Sequence, residues 1–306
     1  MNGMEAYEII DHYYRNAEPA SERNGFIEAE KFLIETTGDP GRMMDLGGFY
    51  YEQKEFELAL KYYEMAEMSG YEPAAICLGY VWYYGRTGTR DFEKAFRYFK
   101  RSEALGNPVA TYKIADMYKN GYYVEKDYEN YKDMVEKLYQ KLMKNDRRRG
   151  PIAEVASRLA RIRKEEGEEL EAVRLFRQTI DAMKPRIQYN GAFFGDLNIM
   201  KWAVNDLYQL VEFDPGDFGL YDLYFRLQKP CKVHFSYALT EYTVESVEED
   251  EELHVRFEDR WFRSIDDFFT KAEIDGETLT RIEDELTEFV IEGEEAAHGN
   301  GGHYID

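Results

Sequence analysis

Apolar residues recur at steps of three and four through much of the first 184 positions, and the steps themselves repeat. Leu78 and Trp82 are followed, across a polar loop, by Ala95, Tyr98 and Phe99, so each such stretch predicts a pair of amphipathic helices. Residues 78–106, 114–142 and, with a shorter first loop, 46–70 can be laid over one another. Gly85 and Gly121 lie 36 apart, as do Trp82 and Tyr118, Asp91 and Asp127, Phe92 and Tyr128, and Gly70 and Gly106. A period of this size predicts a stack of helical hairpins, an architecture whose usual job is to present a long surface to another macromolecule.

Small residues fall where two helices must cross closely, as at Gly79 and Ala115, which share one offset on the first helix. Asp91 and Asp127 precede the second helix and are placed to cap its free N–H groups. Gly70 and Gly106 are placed to end it, because glycine reaches the left-handed conformation at least cost. Tyr131 stands where the preceding repeat has the small Ala95, so the third hairpin is expected to pack more loosely or to shift. Tyr7, Ile10 and Tyr14 followed by Phe26, Ala29, Phe32 and Leu33 read as an N-terminal hairpin, and 152–183 as a further one.

The run Ala74-x3-Leu78-Gly79-x2-Trp82-x2-Gly85, then Asp91-x3-Ala95-x2-Tyr98-Phe99 and Gly106, returns as Ala110-x3-Ile114-Ala115-x2-Tyr118-x2-Gly121 and Asp127. This pattern resembles the Sel1-like subclass of tetratricopeptide repeats, most strongly over 43–142. The stretch Leu46-Gly47-x2-Tyr50 through Gly70 lacks four loop residues and is nearer the plain tetratricopeptide length. The resemblance implies an α-solenoid in which the first helix of each hairpin lines a concave surface, with the offsets not used for packing left to meet ligands. Carried onto this chain, those offsets give Met44 and Tyr51, then Ile76, Tyr80, Tyr83 and Tyr84, then Tyr112, Asp116, Lys119 and Asn120, and further along Ser157, Arg161 and Lys164. Tyrosine offers broad contact area at small entropic cost, and a tyrosine centre with a basic end at Arg161 and Lys164 would suit a peptide or protein segment. Trp82, Tyr98, Phe99, Tyr62, Tyr63 and Tyr118 are expected on the buried stripe.

After Pro185 the repeat pattern stops. Leu197, Met200, Val204, Leu207 and Leu210 share a helical face, and Leu220, Leu223, Tyr224 and Leu227 continue in a second helix ended by Pro230. The period then becomes alternating: Val233, Phe235, Tyr237 and Leu239 form one face, and Leu253, Val255 and Phe257 another, joined by an acidic turn at 248–252. A change of phase at Tyr242 and Val244 predicts a bulge near Thr240. Ser264-x2-Asp267 and Thr280-x2-Glu283 predict short capped helices around a turn at Asp275-Gly276, and Phe289, Val290 and Ile291 a third strand. The expected fold is therefore mainly α: a solenoid over 1–184, a closing helical segment over 185–230, a small acidic α+β unit over 231–292 and a flexible tail over 293–306.

Composition changes this picture in one respect. The 306 residues carry a net charge of −22, and residues 241–306 hold 22 Asp and Glu against 5 Lys and Arg, a net of −17 that leaves −5 for the rest. Such a surface repels phosphate backbones, which argues against nucleic acid and favours a basic protein as partner. Acidity also serves solubility alone. The run Arg147-Arg148-Arg149 beside Asp146 reads as a solvated turn. No membrane-spanning or secretory segment is visible, and Cys77 and Cys231 form no CxxC motif or disulfide framework, so a cytoplasmic site is expected.

Catalytic signatures are absent from the sequence: it has no GxSxG, HExxH, phosphate-binding glycine loop or dinucleotide fingerprint. His234 and His254 share the polar face of the expected hairpin, yet pairing through the 248–252 turn puts His254 opposite about Tyr242, too far from His234 to share an ion. His298 and His303 lie in the tail without a third ligand at fixed spacing. The expectation is a non-catalytic interaction scaffold or adaptor with no cofactor and no metal. The alternative is an inhibitor or immunity-type protein whose acidic C-terminal unit covers a basic surface.

Overall fold

The computed structural model describes residues 1–15, 22–144, 150–189, 194–249 and 252–293. The Arg147-Arg148-Arg149 run and the tail with His298 and His303 lie outside them. The chain divides into two compact units, Met1–Leu138 and Tyr139–Asp306.

The first unit is built from helices α1 (Gly3–Arg15), α2 (Arg23–Thr37), α3 (Pro40–Glu52), α4 (Phe56–Met68), α5 (Ala74–Tyr84), α6 (Phe92–Ala104) and α7 (Pro108–Asn120), with α8 (Tyr128–Lys144) following. Each helix packs on the next in sequence from α1 to α7, as a solenoid requires. The 36-residue period is physical as well as textual. Asp91 accepts a hydrogen bond from the Lys94 N–H at 2.9 Å, and Asp127 one from the Asn130 N–H at the same distance. Gly85 and Gly121 both take positive φ, 62° and 71°, and close the first helix of their repeats. The Asp91 N–H then donates to the Trp82 carbonyl, and the Asp127 N–H to that of Tyr118.

Packing explains the small residues. A Cβ added at Gly79 would stand 2.4 Å from the Phe99 ring, and one at Gly47 would stand 2.7 Å from Tyr63. Each ring lies against backbone where a side chain would collide. In the third repeat the offset of Phe99 is held by Val135 and that of Gly79 by Ala115, both fully buried. The bulk removed at 135 reappears one turn earlier in Tyr131, which is likewise buried.

Two expectations for this unit need correcting. Tyr7 and Tyr14 are exposed, while Ala6, Ile10 and a Tyr13 ring stacked 4.4 Å from Phe26 face inward. A stripe drawn through the tyrosines therefore falls one position off the true core face. Trp82, Tyr98 and Tyr118 are only half-buried, whereas Tyr62, Tyr63 and Phe99 are buried as expected. Lys94 covers the Trp82 indole at 3.9 Å, so the offset is partly a surface position.

The second unit begins with the hairpin α9 (Ile152–Glu165) and α10 (Glu169–Tyr189), followed by α11 (Phe194–Leu207) and the short α12 (Leu223–Arg226). Pro185 does not stop α10, which carries it internally and runs on to Tyr189. The five-stranded antiparallel sheet has the order β4-β3-β2-β1-β7, from β1 (Cys231–Tyr237), β2 (Thr240–Glu249), β3 (Glu252–Phe257), β4 (Arg260–Phe262) and β7 (Thr287–Ile291). Between β4 and β7 come α13 (Ile265–Lys271) and the ribbon β5 (Glu273–Ile274) with β6 (Glu277–Thr278).

The phase change near Thr240 is a hairpin turn, not a bulge. Ala238 and Leu239 both take positive φ, and β1 pairs directly with β2 from Tyr237↔Thr240 onward. Two residues of positive φ match the twist of the flanking strands, so the turn adds a strand where a continuous one was expected. Thr280 opens no α-helix, and a single 3-10 turn over Glu283–Glu285 stands there instead. Ser264 does cap α13, accepting from the Asp267 N–H at 3.1 Å.

One face of the sheet and the helices share a single core. Val233, Phe235, Val244, Val255 and Phe257 pack in the same cluster as Met183, Ile187, Met200, Val204 and Leu223. Tyr224 stacks on Phe269 with centroids 3.7 Å apart. Ion pairs reinforce it: Arg186 holds both Asp196 and Glu154, Lys184 meets Glu283 at 3.0 Å and Lys201 meets Asp266 at 2.9 Å. Part of the C-terminal acidity is therefore used inside the unit.

Candidate protein-binding surface

The first helices of the repeats bring their tyrosines together. On α5 the rings of Tyr80 and Tyr84, one turn apart, stack in parallel at 5.9 Å, and Tyr83 meets Tyr84 edge-on at 5.0 Å. Tyr83 also reaches Phe92 and Tyr122, which stack on each other at 4.3 Å. The Tyr112 hydroxyl on α7 lies 3.4 Å from that of Tyr80. Exposure within this set is graded: Tyr112 is 6% exposed, Tyr80 and Tyr83 are half-buried, and Tyr84 is 39% exposed.

At the centre stands a residue that offset reasoning passed over. The Lys113 ammonium lies 5.3, 5.2, 5.0 and 5.5 Å from the ring centroids of Tyr80, Tyr83, Tyr84 and Tyr112, and it donates to the Tyr84 hydroxyl at 2.6 Å. Lys113 is only 7% exposed. A cation so deep is tolerated because four ring faces and one hydroxyl oxygen replace part of its hydration. The repeat offset gave no warning of it: the same position is held by Asp45 and Cys77 in the two preceding repeats, so only the neighbours of Lys113 in space show what surrounds it.

Arg86, in the loop after α5, links the repeats. Its Nε donates to the Tyr51 hydroxyl at 2.9 Å, and its guanidinium lies 5.6, 5.5 and 5.0 Å from the rings of Tyr51, Phe56 and Tyr84. Tyr51 thereby joins the α5 tyrosines through a cation.

The remaining offsets separate into packing and surface positions. Met44 and Ile76 pack against the buried clusters beneath α3 and α5. Asp116 is half-buried, Lys119 lies 5.0 Å from the Tyr131 ring, and the Asn120 side chain folds back to donate to the Asp116 carbonyl at 2.7 Å. Arg161 and Lys164 belong to the second unit, where both pair with Asp206 of α11, at 2.7 and 3.4 Å, and Lys164 also donates to Gln209. Ser157 is buried in the same unit.

Elsewhere, the first unit carries strongly perturbed groups that the sequence did not announce. Glu30 of α2 is fully buried, and burial pushes its carboxyl up to about 7 against the pull of Arg42 at 3.1 Å. Among the described residues its second oxygen has no hydrogen-bond partner. Burial likewise raises the Cys77 thiol to about 11, which marks it as an unreactive packing group.

In the second unit, His234 stands opposite Thr243 and His254 opposite Val247, not Tyr242. Those partners are four residues apart on β2, about 13 Å, and the two histidines flank β2 on opposite sides. His234 accepts or donates at Thr243, 3.1 Å away, and lies within 3.6 Å of Glu241 and 3.5 Å of Glu292. Among the described residues no group of three or more His, Cys, Asp or Glu is arranged to hold a metal ion, and no helix is long and apolar enough to cross a membrane.

The Sel1 repeat model matches residues 43–71, 73–107 and 108–130. A 90-residue stretch is 27% identical to the ERAD-associated E3 ubiquitin-protein ligase component HRD3A of Arabidopsis thaliana, covering 29% of this chain and 13% of that protein. Two solved structures are similar in fold. One is c5321, a protective antigen of uropathogenic Escherichia coli strains displaying an SLR fold: 17% identity, TM-score 0.41, 62% of this chain and 45% of that one. The other is a Sel1 repeat protein from Oxalobacter formigenes: 18% identity, TM-score 0.43, 67% of this chain and 84% of that one. Sel1 repeats are generally protein–protein interaction modules. Three consecutive Sel1 repeats therefore lie at 43–130, on helices α3 to α7 and the start of α8.

Proposed function

We propose that the chain is a non-catalytic scaffold or adaptor that binds a segment of another protein on the tyrosine-bearing first helices of its repeats. The observation that carries this reading is the graded cluster on α5 and α7. A buried base of Tyr112 and Lys113 holds Tyr80 and Tyr83 in place and leaves the Tyr84 ring at the surface between Arg86 and Lys113. Rings fixed before a partner arrives lose little entropy on binding, which is what a contact residue needs. Tyr51, Asp116, Lys119 and Asn120 extend the surface along neighbouring first helices. Arg161 and Lys164, of the second unit, are left out of this surface, and Asp206 already pairs with both. A cytoplasmic site remains part of this proposal, resting on the sequence reading alone.

The test is affinity capture from the native extract with three baits: the full chain, Tyr51→Ala/Tyr84→Ala/Asn120→Ala, and Trp261→Ala/Val290→Ala on the exposed face of the sheet. Partners lost with the first variant and kept with the second support the reading. Partners kept with the first and lost with the second sink it, provided both variants melt near the parent temperature.

A further inference from the structure

Most cations of the first unit are paired with carboxylates: Arg42 with Glu30, Lys94 with Asp91, Arg97 with Glu93, Lys100 with Glu103 and Arg101 with Glu67. Arg86 and Lys113 are different. Among the described residues, Arg86 has a tyrosine hydroxyl and three rings, Lys113 a tyrosine hydroxyl and four, and neither forms an ion pair with a carboxylate. Each lies 5.0 Å from the centroid of Tyr84, so both act on the one ring of the cluster that is well exposed.

The local charge points the same way. Residues 80–120 carry eight Lys and Arg against four Asp and Glu, a net of +4 within a chain of −22. The stretch is the reverse of the acidic whole, and it holds the tyrosine cluster. The Tyr84 oxygen accepts from the Lys113 ammonium, which leaves its own O–H to donate outward, strengthened by the cation behind it.

Resting on the groove reading above, we propose that Tyr84 and Arg86, backed by Lys113, form an anchor for a carboxylate side chain of an acidic protein segment. The carboxylate accepts one hydrogen bond from the Tyr84 hydroxyl and lies against the Arg86 guanidinium, while Lys113 supplies a fixed positive charge from below. The sign of the whole chain favours basic partners at long range, where salt screens it. At contact distance the local cations decide, and they select an acid.

The experiment is selection of 12-residue peptides from a random phage library on the immobilised full chain, followed by fluorescence anisotropy with the synthesised winners. The proposal predicts enrichment of Asp or Glu at one position. Arg86→Gln, a surface change checked by melting temperature, should weaken binding about tenfold. Changing the peptide acid to its amide should cost about the same, and the two changes together little more than either alone, because each removes one side of a single contact. Winners rich in Lys or Arg that bind Arg86→Gln normally but fail on Tyr84→Ala would overturn the carboxylate anchor and leave the groove standing. Winners indifferent to both variants, or no winners above an unrelated immobilised protein, would overturn the anchor and the groove reading together.

Discussion

The two units differ in how their buried rings find room. In the first, beside ring pairs such as Tyr13 on Phe26, a ring at the helix crossing meets the absence of a side chain, as Phe99 meets Gly79 and Tyr63 meets Gly47, and the third repeat makes the same crossing with Val135 and Ala115. In the second, ring meets ring: Phe235 stacks between Tyr242, Phe257 and Phe289, and Tyr224 lies flat on Phe269. A repeated contact needs only a local rule, a glycine opposite a ring, so it can be copied along the chain. A stacked core draws its members from elements far apart in sequence and is built once.

The largest test of that contrast falls in the second unit. Phe235→Ala should cost about 3–5 kcal/mol in urea denaturation, the usual range for a fully buried ring. Hydrogen exchange should then rise in α10 and α11 as well as in β1, β2 and β3, because helices and sheet share one core. Loss confined to the strands would mean that the sheet folds apart from the helices. A smaller effect is expected in the repeats. Gly79→Ala should cost about 2 kcal/mol by overpacking, and Gly79→Ala/Phe99→Val should recover much of it, since the third repeat already pairs Ala115 with Val135 at those offsets. An additive double variant would refute the volume trade.

Glu30 gives a pH test of the first unit alone. Its carboxyl is raised from 4.5 to about 7, chiefly by burial, so between those values the folded chain holds a proton that the unfolded chain releases. Its stabilising contribution is full below pH 4.5 and is lost as pH rises through about 7, by roughly 3 kcal/mol. Glu30→Gln should flatten that slope, and melting curves at pH 5 and pH 8 that fall off as in the parent would exclude Glu30 as its source. The smallest effect is the capping pair. Asp91→Ala and Asp127→Ala should each cost about 1 kcal/mol, and by similar amounts, because both make the same 2.9 Å bond to a backbone N–H.

How much of this was legible in the sequence follows from the same contrast. The hairpins, their caps and the glycine contacts of α3 to α7 could be read because each is a short-range pattern that recurs. The face of α1 was misread, since no second copy of that hairpin existed to show that Ala6 and Tyr13, not Tyr7 and Tyr14, face inward. The β1–β2 turn was hidden because Ala238 and Leu239 lack the glycine or asparagine that normally marks two positive φ values. The tyrosines of the surface were named from their offsets, but what holds them was not. Lys113 and Arg86 act through rings on other helices, and only their neighbours in space reveal that, among the described residues, neither pairs with a carboxylate.

The central claim is that the exposed edge of the tyrosine cluster, not the acidic sheet, touches the partner. Replacing Tyr84 by the photo-crosslinker p-benzoylphenylalanine, and in a second protein Trp261 on the sheet, tests this directly once a partner or selected peptide is in hand. A covalent adduct is expected from position 84 and none from position 261. An adduct formed from 261 and absent from 84 would contradict it.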